Sequence, residues 1–182
     1  MAKKDREIHG PLRVFLAGFM GAGKTSAGRE LARLLRLPFK DTDDEVRRSS
    51  GLPSHEFILK RGLGAFRKAE DAALRRLARG PAAVISLGGG IYPSRRRAGL
   101  FRKAGVSVWL RRPLTEMLRL AGNGGRRPLL ARKSAAAVGR LFDRREKFYA
   151  KCDLRVSAAG LKPAAAARAI RRQLENNGFI AP

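Results

Sequence analysis

Gly18-Phe19-Met20-Gly21-Ala22-Gly23-Lys24-Thr25 fits the pattern G-x-x-x-x-G-K-[ST] at every fixed position. Glycines at those positions let successive backbone N–H groups curl around phosphate oxygens, which bulkier residues would obstruct. Lys24 then reaches the β- and γ-phosphates, and the Thr25 hydroxyl ligates magnesium. A helix opening at Lys24 points its positive end at the same anion. Gly21, Ala22, Gly23, Lys24, Thr25 and Ser26 are therefore expected to bind ATP or GTP together with Mg²⁺.

A kinase also needs an acceptor side, and three further groupings could supply it. Asp41 and Asp43 flank Thr42. On an extended segment both side chains point the same way, so both could face the γ-phosphate. One could hold a water on magnesium while the other accepts a proton or hydrogen bond from an attacking hydroxyl. The alternatives for this pair are a solvated loop acid or the N-cap of a following helix. Arg67 has Glu70 at i+3, which could orient its guanidinium; otherwise it is a solvated helical arginine. Gly88-Gly89-Gly90 directly follow an apolar run. Glycines at the carboxyl end of a strand expose backbone where ligands sit in open α/β sheets.

These groups must be held by elements that alternate along the chain. Residues 12–17 read as a buried strand feeding the Gly-rich loop. From Lys24 the period changes, with Ala27, Leu31, Leu34 and Leu35 on one helical face up to Pro38. A short strand at 39–41 follows, then a helix over 43–50 closed by Gly51. Ser54 is a candidate N-cap for a short helix over 56–60, and a second helix spans 64–79 with Phe66, Ala69, Ala73, Leu74 and Leu77 inward. Strands are expected at 82–87, 106–110 and 154–156. Pro163 suits the first turn of a final helix ended by Gly178. Such alternation implies a parallel sheet covered on both faces. Residues 121–133 are basic, Gly-rich and without helical period, which predicts a mobile lid in a single domain spanning 1–182.

Composition narrows the function classes. Of the 182 residues only one is Cys and two are His, so neither an internal disulfide nor a Cys/His zinc cluster can form. No apolar run approaches a membrane span, and residues 1–5 lead to no signal-like segment, so a cytoplasmic protein is expected. The net charge of +25 could mark a nucleic-acid partner. The positives are scattered in pairs and triplets, however, with Arg more than twice as frequent as Lys. Compositional bias plus a small anionic substrate accounts for this pattern better, with no nucleic acid, no membrane and a monomer expected.

Together these pieces resemble one family, shikimate kinase, from the nucleoside-monophosphate-kinase-like branch of P-loop proteins. The resemblance runs from the phosphate loop through Phe39-Lys40-Asp41-Thr42-Asp43, Phe66-Arg67 with Glu70, and Ser86-Leu87-Gly88-Gly89-Gly90. It continues in Arg127-Pro128-Leu129-Leu130, Arg145 four residues before Tyr149, and Pro163. It implies a doubly wound α/β fold with a five-stranded parallel sheet of order 2-3-1-4-5, and phosphorylation of the shikimate 3-hydroxyl by ATP. It also implies that Asp43 holds the attacking hydroxyl, that Asp41 contacts the magnesium shell, and that Arg67 and Arg145 grip the substrate carboxylate. Gly89 and Gly90 would meet the ring substituents, Arg127 in the lid would reach the transferring phosphate, and Pro163 would lie against adenine. With Lys24, Asp43 and Arg127 form the expected catalytic set.

The chain departs from the family pattern at Leu63-Gly64, where Glu usually follows Gly62, and at Leu120, commonly an adenine-stacking Arg; neighbouring Arg119 is a candidate substitute for the latter. A kinase for a gluconate-like acceptor is the rival enzyme, since gluconate also carries a carboxylate and hydroxyls. The rival outside enzymology is a non-catalytic nucleotide-dependent nucleic-acid-binding relative. The complete set of Lys24, Asp43, Arg67, Arg127 and Arg145 weighs against it.

Overall fold

The structure, a computed structural model, describes residues 10–91, 100–101, 103–122 and 134–182. Five strands, β1 (Arg13–Ala17), β2 (Phe39–Asp41), β3 (Ala83–Ser86), β4 (Val106–Arg111) and β5 (Leu154–Ser157), form one sheet. Its order is β2-β3-β1-β4-β5, and every pairing is parallel, as the resemblance implies.

Strand β1 shows why the sheet must be covered twice. All five of its residues are buried, and its apolar residues alternate between two clusters. Val14 and Leu16 pack with Ala27 and Leu31 of α1 (Lys24–Leu35) and with Ala166, Ile170 and Leu174 of α6 (Pro163–Asn176). Phe15 and Ala17 face Leu74 and Ala78 of α3 (Ser54–Arg79), Met117 of α4 (Leu114–Gly122), and Val138 and Tyr149 of α5 (Ala135–Tyr149). Strands buried on both faces read as continuous apolar runs, which makes β1 and β3 legible in the sequence. A smaller cluster joins Val46 of α2 (Thr42–Ser50) to Phe57, Phe66 and Ala73 of α3.

Several local expectations change. The helices expected at 56–60 and 64–79 run together as α3, broken only at Gly62, whose φ of 79° and ψ of 160° lie outside helical space. Helix α3 begins at Ser54 itself, with Pro53 as N-cap and no side-chain cap, so Ser54 does not cap it. Helices α4 and α5 have no clear sequence signal. Their inward stripes are Leu114, Met117 and Leu118 in α4, and Val138, Leu141, Phe142 and Tyr149 in α5; α4 is short, and charged residues surround the stripe of α5. Helix α4 continues through Gly122, so the expected lid loses its first two residues to a helix. Residues 123–133, with Arg127, lie outside the described residues.

Beside the phosphate loop, helix α1 approaches the sheet closely at Gly28. A Cβ there would meet Phe39 Cε2 at 2.7 Å and Leu16 Cδ1 at 3.0 Å. This contact fixes α1, which carries Lys24 and Thr25, against β2, which ends in Asp41. Gly28→Ala should therefore overpack the joint and cost about 1–3 kcal/mol, read as a lower urea midpoint. An unchanged midpoint would show that α1 is free to move outward.

Candidate active site

The site forms where the carboxyl ends of β1, β3 and β2 open into loops, beside the point where the chain crosses from β3 to β4 around β1. A cleft of about 220 Å³ lies there, walled by Met20, Gly21 and Gly23 to Ser26 of the phosphate loop and α1, Asp41, Asp43, and the segment Ser86 to Gly89.

On the phosphate side, Gly23 takes a φ of 91° and caps α1, and the first turn of α1 holds no acidic residue. The N–H groups there are left open to an anion. Lys24 is nearly buried, and its Nζ donates to the carbonyls of Gly18 at 2.9 Å and Phe19 at 3.1 Å. The ammonium is thus stored against the loop that its charge serves.

The Thr25 hydroxyl donates to Asp41 Oδ2 at 3.2 Å. Hydroxyl and carboxylate together suit a hard cation whose remaining ligands are phosphate oxygens and water. Among the described residues, no group of three or more His, Cys, Asp or Glu could hold an ion alone. Thr25 and Asp41 fit Mg²⁺ as part of a nucleotide complex.

Asp41 and Asp43 do come together, by a different route from the one expected. Asp41 ends β2 and is the N-cap of α2, its Oδ1 accepting from the Asp43 N–H at 2.9 Å. Asp43 therefore sits on the first turn of a helix rather than two residues along a strand. Asp41 is thus the N-cap that the alternative named, and both acids line the cleft.

The glycine turn forms the other wall of the cleft. None of Gly88, Gly89 and Gly90 has a left-handed φ, so conformational freedom is not what they supply. Each instead leaves room for a different polar group. A Cβ on Gly88 would lie 2.6 Å from Asp43 Oδ1 and 2.8 Å from Glu70 Oε1. On Gly89 it would lie 3.6 Å from Arg145 Nη1, and on Gly90 it would collide with Arg67 Nη1. The turn is itself anchored: Gly88 N–H donates to Thr42 Oγ1 at 2.7 Å, and the Tyr149 hydroxyl donates to Gly89 O at 3.2 Å.

Arg67 pairs with buried Glu70 one helical turn on, as expected. Arg145 stands one turn before Tyr149 on α5, with its guanidinium over the Phe19 ring at 5.7 Å. Its Nη1 is buried without a hydrogen-bond partner among the described residues. An unpaired buried guanidinium N–H is costly and calls for an acceptor, which a carboxylate matches with two oxygens.

The Asp43 carboxyl is pushed up to about 6, first by burial against the pocket wall and then by the charges of Asp41 and Glu70, with Lys24 opposing. The residue as a whole remains exposed to the open cleft, so water there screens part of these interactions. A carboxylate in this range suits acceptance of a hydroxyl proton near neutral pH.

Pro163 stands exposed at the first position of α6, which follows β5, the sheet edge opposite β2. Leu63 and Leu120 are both exposed. Thr42, only a spacer between two acids in the sequence, holds the glycine turn. Arg112 and Glu116 are functional candidates that the motifs do not reveal; their only signal is an Arg-Arg-Pro step directly after a buried strand.

A family model described as Shikimate kinase matches residues 20–175. A shikimate kinase of Moorella thermoacetica is 40% identical over 166 residues, covering 91% of this chain and 95% of that protein. Among solved structures, shikimate kinase from Aquifex aeolicus aligns with a TM-score of 0.82 and 32% identity, over 92% of this chain and 99% of that one. Shikimate kinase from Acinetobacter baumannii, solved in complex with shikimate, aligns with a TM-score of 0.81 and 27% identity over 94% and 96% of the two chains.

The clearance at Gly90 makes a specific demand. Gly90→Ala should push the Arg67 guanidinium off buried Glu70, which lowers Tm as well as loosening the site. Loss of one charge-assisted contact should raise KM for the acceptor about tenfold, with KM for ATP nearly unchanged. A rise confined to KM for ATP would place Arg67 on the nucleotide.

Proposed function

Because the chain belongs to the shikimate kinase family, we propose that it transfers the γ-phosphoryl group of ATP to the 3-hydroxyl of shikimate, releasing ADP and shikimate 3-phosphate. The observation that carries this reading is the glycine turn, which brings Asp43, Arg145 and Arg67 against three consecutive backbone units.

In this reading the backbone of Gly21 to Ser26 and the Lys24 ammonium receive the triphosphate. Thr25 and Asp41 would hold Mg²⁺, which when bound neutralises phosphate charge. Arg145, with its unpaired Nη1, and Arg67, braced by Glu70, take the shikimate carboxylate. The ring then lies over Gly89 and Gly90, and its 3-hydroxyl approaches Asp43. Asp43 accepts the hydroxyl proton as the oxygen attacks the γ-phosphorus, and ADP leaves with the opposite bond. Lys24 meets the charge that grows on the phosphate oxygens. Arg127, outside the described residues, is the proposed second cation on the transferring group, and Pro163 the proposed adenine contact.

An ADP-release assay with shikimate, gluconate and no acceptor tests the assignment directly. Shikimate should stimulate turnover strongly and gluconate should not, and Lys24→Ala should abolish the response. Equal stimulation by gluconate, or none by shikimate, would sink it.

The raised Asp43 value gives two linked expectations. Activity needs the carboxylate, so kcat/KM should fall about tenfold per pH unit below about 6, and Asp43→Asn should lose about 10²–10⁴ in kcat while still binding ATP. In stability the sign reverses. The folded protein holds this proton more tightly than the unfolded chain, so the ionised group weakens the fold above about pH 6, and that cost fades towards pH 4. Asp43→Asn should thus raise Tm at pH 7.5 and leave it unchanged near pH 4. A variant active within a few-fold of the parent would show that Asp43 does not accept the hydroxyl proton.

A further inference from the structure

Arg112 is the first residue after β4, and it is almost fully buried although it is a charged group outside the acceptor site. Strand β4 lies between β1 and β5, so the residue leaving it sits between the phosphate loop and the connection from β5 to α6. Its guanidinium touches both. Nε donates to the carbonyl of Ala22 at 3.4 Å, and Nη2 donates to the carbonyl of Leu161 at 3.0 Å. Nη1 pairs with Glu116 on α4. The second Glu116 oxygen accepts from the Gly160 N–H at 3.2 Å, so Glu116 grips the same connection that Arg112 does.

The two acceptor carbonyls belong to segments that meet opposite ends of a nucleotide. Ala22 lies in the phosphate loop, and Leu161 lies two residues before Pro163, the proposed adenine contact. Strand β4 stands between β1 and β5, so no sheet pairing ties the loop after β1 to the loop after β5. A guanidinium is planar and fixes the directions of its N–H groups, so it sets a distance between the carbonyls that a lysine cannot set.

We propose that Arg112, held in place by Glu116, is a positioning residue that clamps the phosphate loop to the Gly160–Pro163 segment and so fixes the spacing between the triphosphate and adenine sites. The inference rests on Pro163 being the adenine contact. It concerns how well the two halves of ATP are bound at once, and makes no demand on the acceptor or on proton transfer.

The test compares binding of Mg–ATP with binding of Mg–tripolyphosphate, which lacks the base. In the parent, ATP should bind more tightly, and the ratio of the two dissociation constants measures what the base adds. Arg112→Lys and Arg112→Met should each shrink that ratio about tenfold, since two charge-assisted contacts are lost. KM for ATP should rise in step, with KM for shikimate within about twofold, as neither contact reaches the acceptor. Arg112→Met strands Glu116, and its folding could suffer. Arg112→Met/Glu116→Gln removes both charges and should give the same shrinkage with a Tm near the parent's. An unchanged ratio in the soluble variants, or an equal rise in both Michaelis constants, overturns the clamp. A parent that phosphorylates shikimate yet binds ATP and tripolyphosphate equally overturns the adenine assignment and the clamp with it, while leaving the phosphotransfer reading intact.

Discussion

The missing side chains of Gly88, Gly89 and Gly90 set the constraint on which one half of the cleft, the proposed acceptor side, depends. Three consecutive backbone units lie against Asp43 and Glu70, then Arg145, then Arg67, with no room for a methyl group at the first and third. Such a close approach means that the acid from α2, the arginine from α3 and the arginine from α5 are spaced by one rigid turn rather than by three independent elements. The turn is in turn tied to α2 through Thr42 and to α5 through Tyr149. A small error in any of these elements would be felt at once by the others, because positions held by packed backbone do not deform gradually.

Electrostatics then divides the cleft. Asp41, Asp43 and Glu70 concentrate negative charge within a protein of large positive charge, and their mutual repulsion helps to raise Asp43. Arg67 is partly neutralised by Glu70, whereas Arg145 keeps one buried N–H unpaired among the described residues. An unpaired buried N–H is costly, and an acceptor brought into the cleft would relieve that cost. Elsewhere the positive charge is handled differently. Arg33 with Glu30, Arg47 with Asp44 and Arg171 with Glu175 form local helical pairs, each worth little in water. They are features of a solvated surface.

The two halves of the site also differ in how they are held. The phosphate loop lies between β1 and α1 and takes its shape from local sequence, with Arg112 reaching it from the end of β4, whereas the groups of the proposed acceptor side come from three helices and a turn far apart in the chain. Phe19 connects them, since its ring is buried, packs edge-on to Phe142 at 5.4 Å, and carries the Arg145 guanidinium on its face. A residue at a variable position of the phosphate motif thereby orients a helix of the acceptor side.

How much of the molecule is legible in its sequence follows from the range of the forces involved. The phosphate loop, the buried runs of β1 and β3, the amphipathic period of α1 and the proline at the start of α6 are local patterns, and each is readable because neighbours in sequence do the work. The family resemblance extends that to the strand order, and it points to Asp43, Arg67 and Arg145, which lie together at the glycine turn. The helices α4 and α5 are missed in the sequence, α4 because it is short and runs into the Gly-rich stretch, α5 because charged residues surround its buried stripe. Asp41 and Asp43 pair as their spacing suggests, but an N-cap rather than strand alternation brings them together. The reason for three glycines in a row, the unpaired nitrogen of Arg145 and the bridge made by Arg112 are decided only by tertiary structure. Each is a contact between segments many residues apart, and steric clearance or an orphaned donor has no signature in the residues that happen to be adjacent.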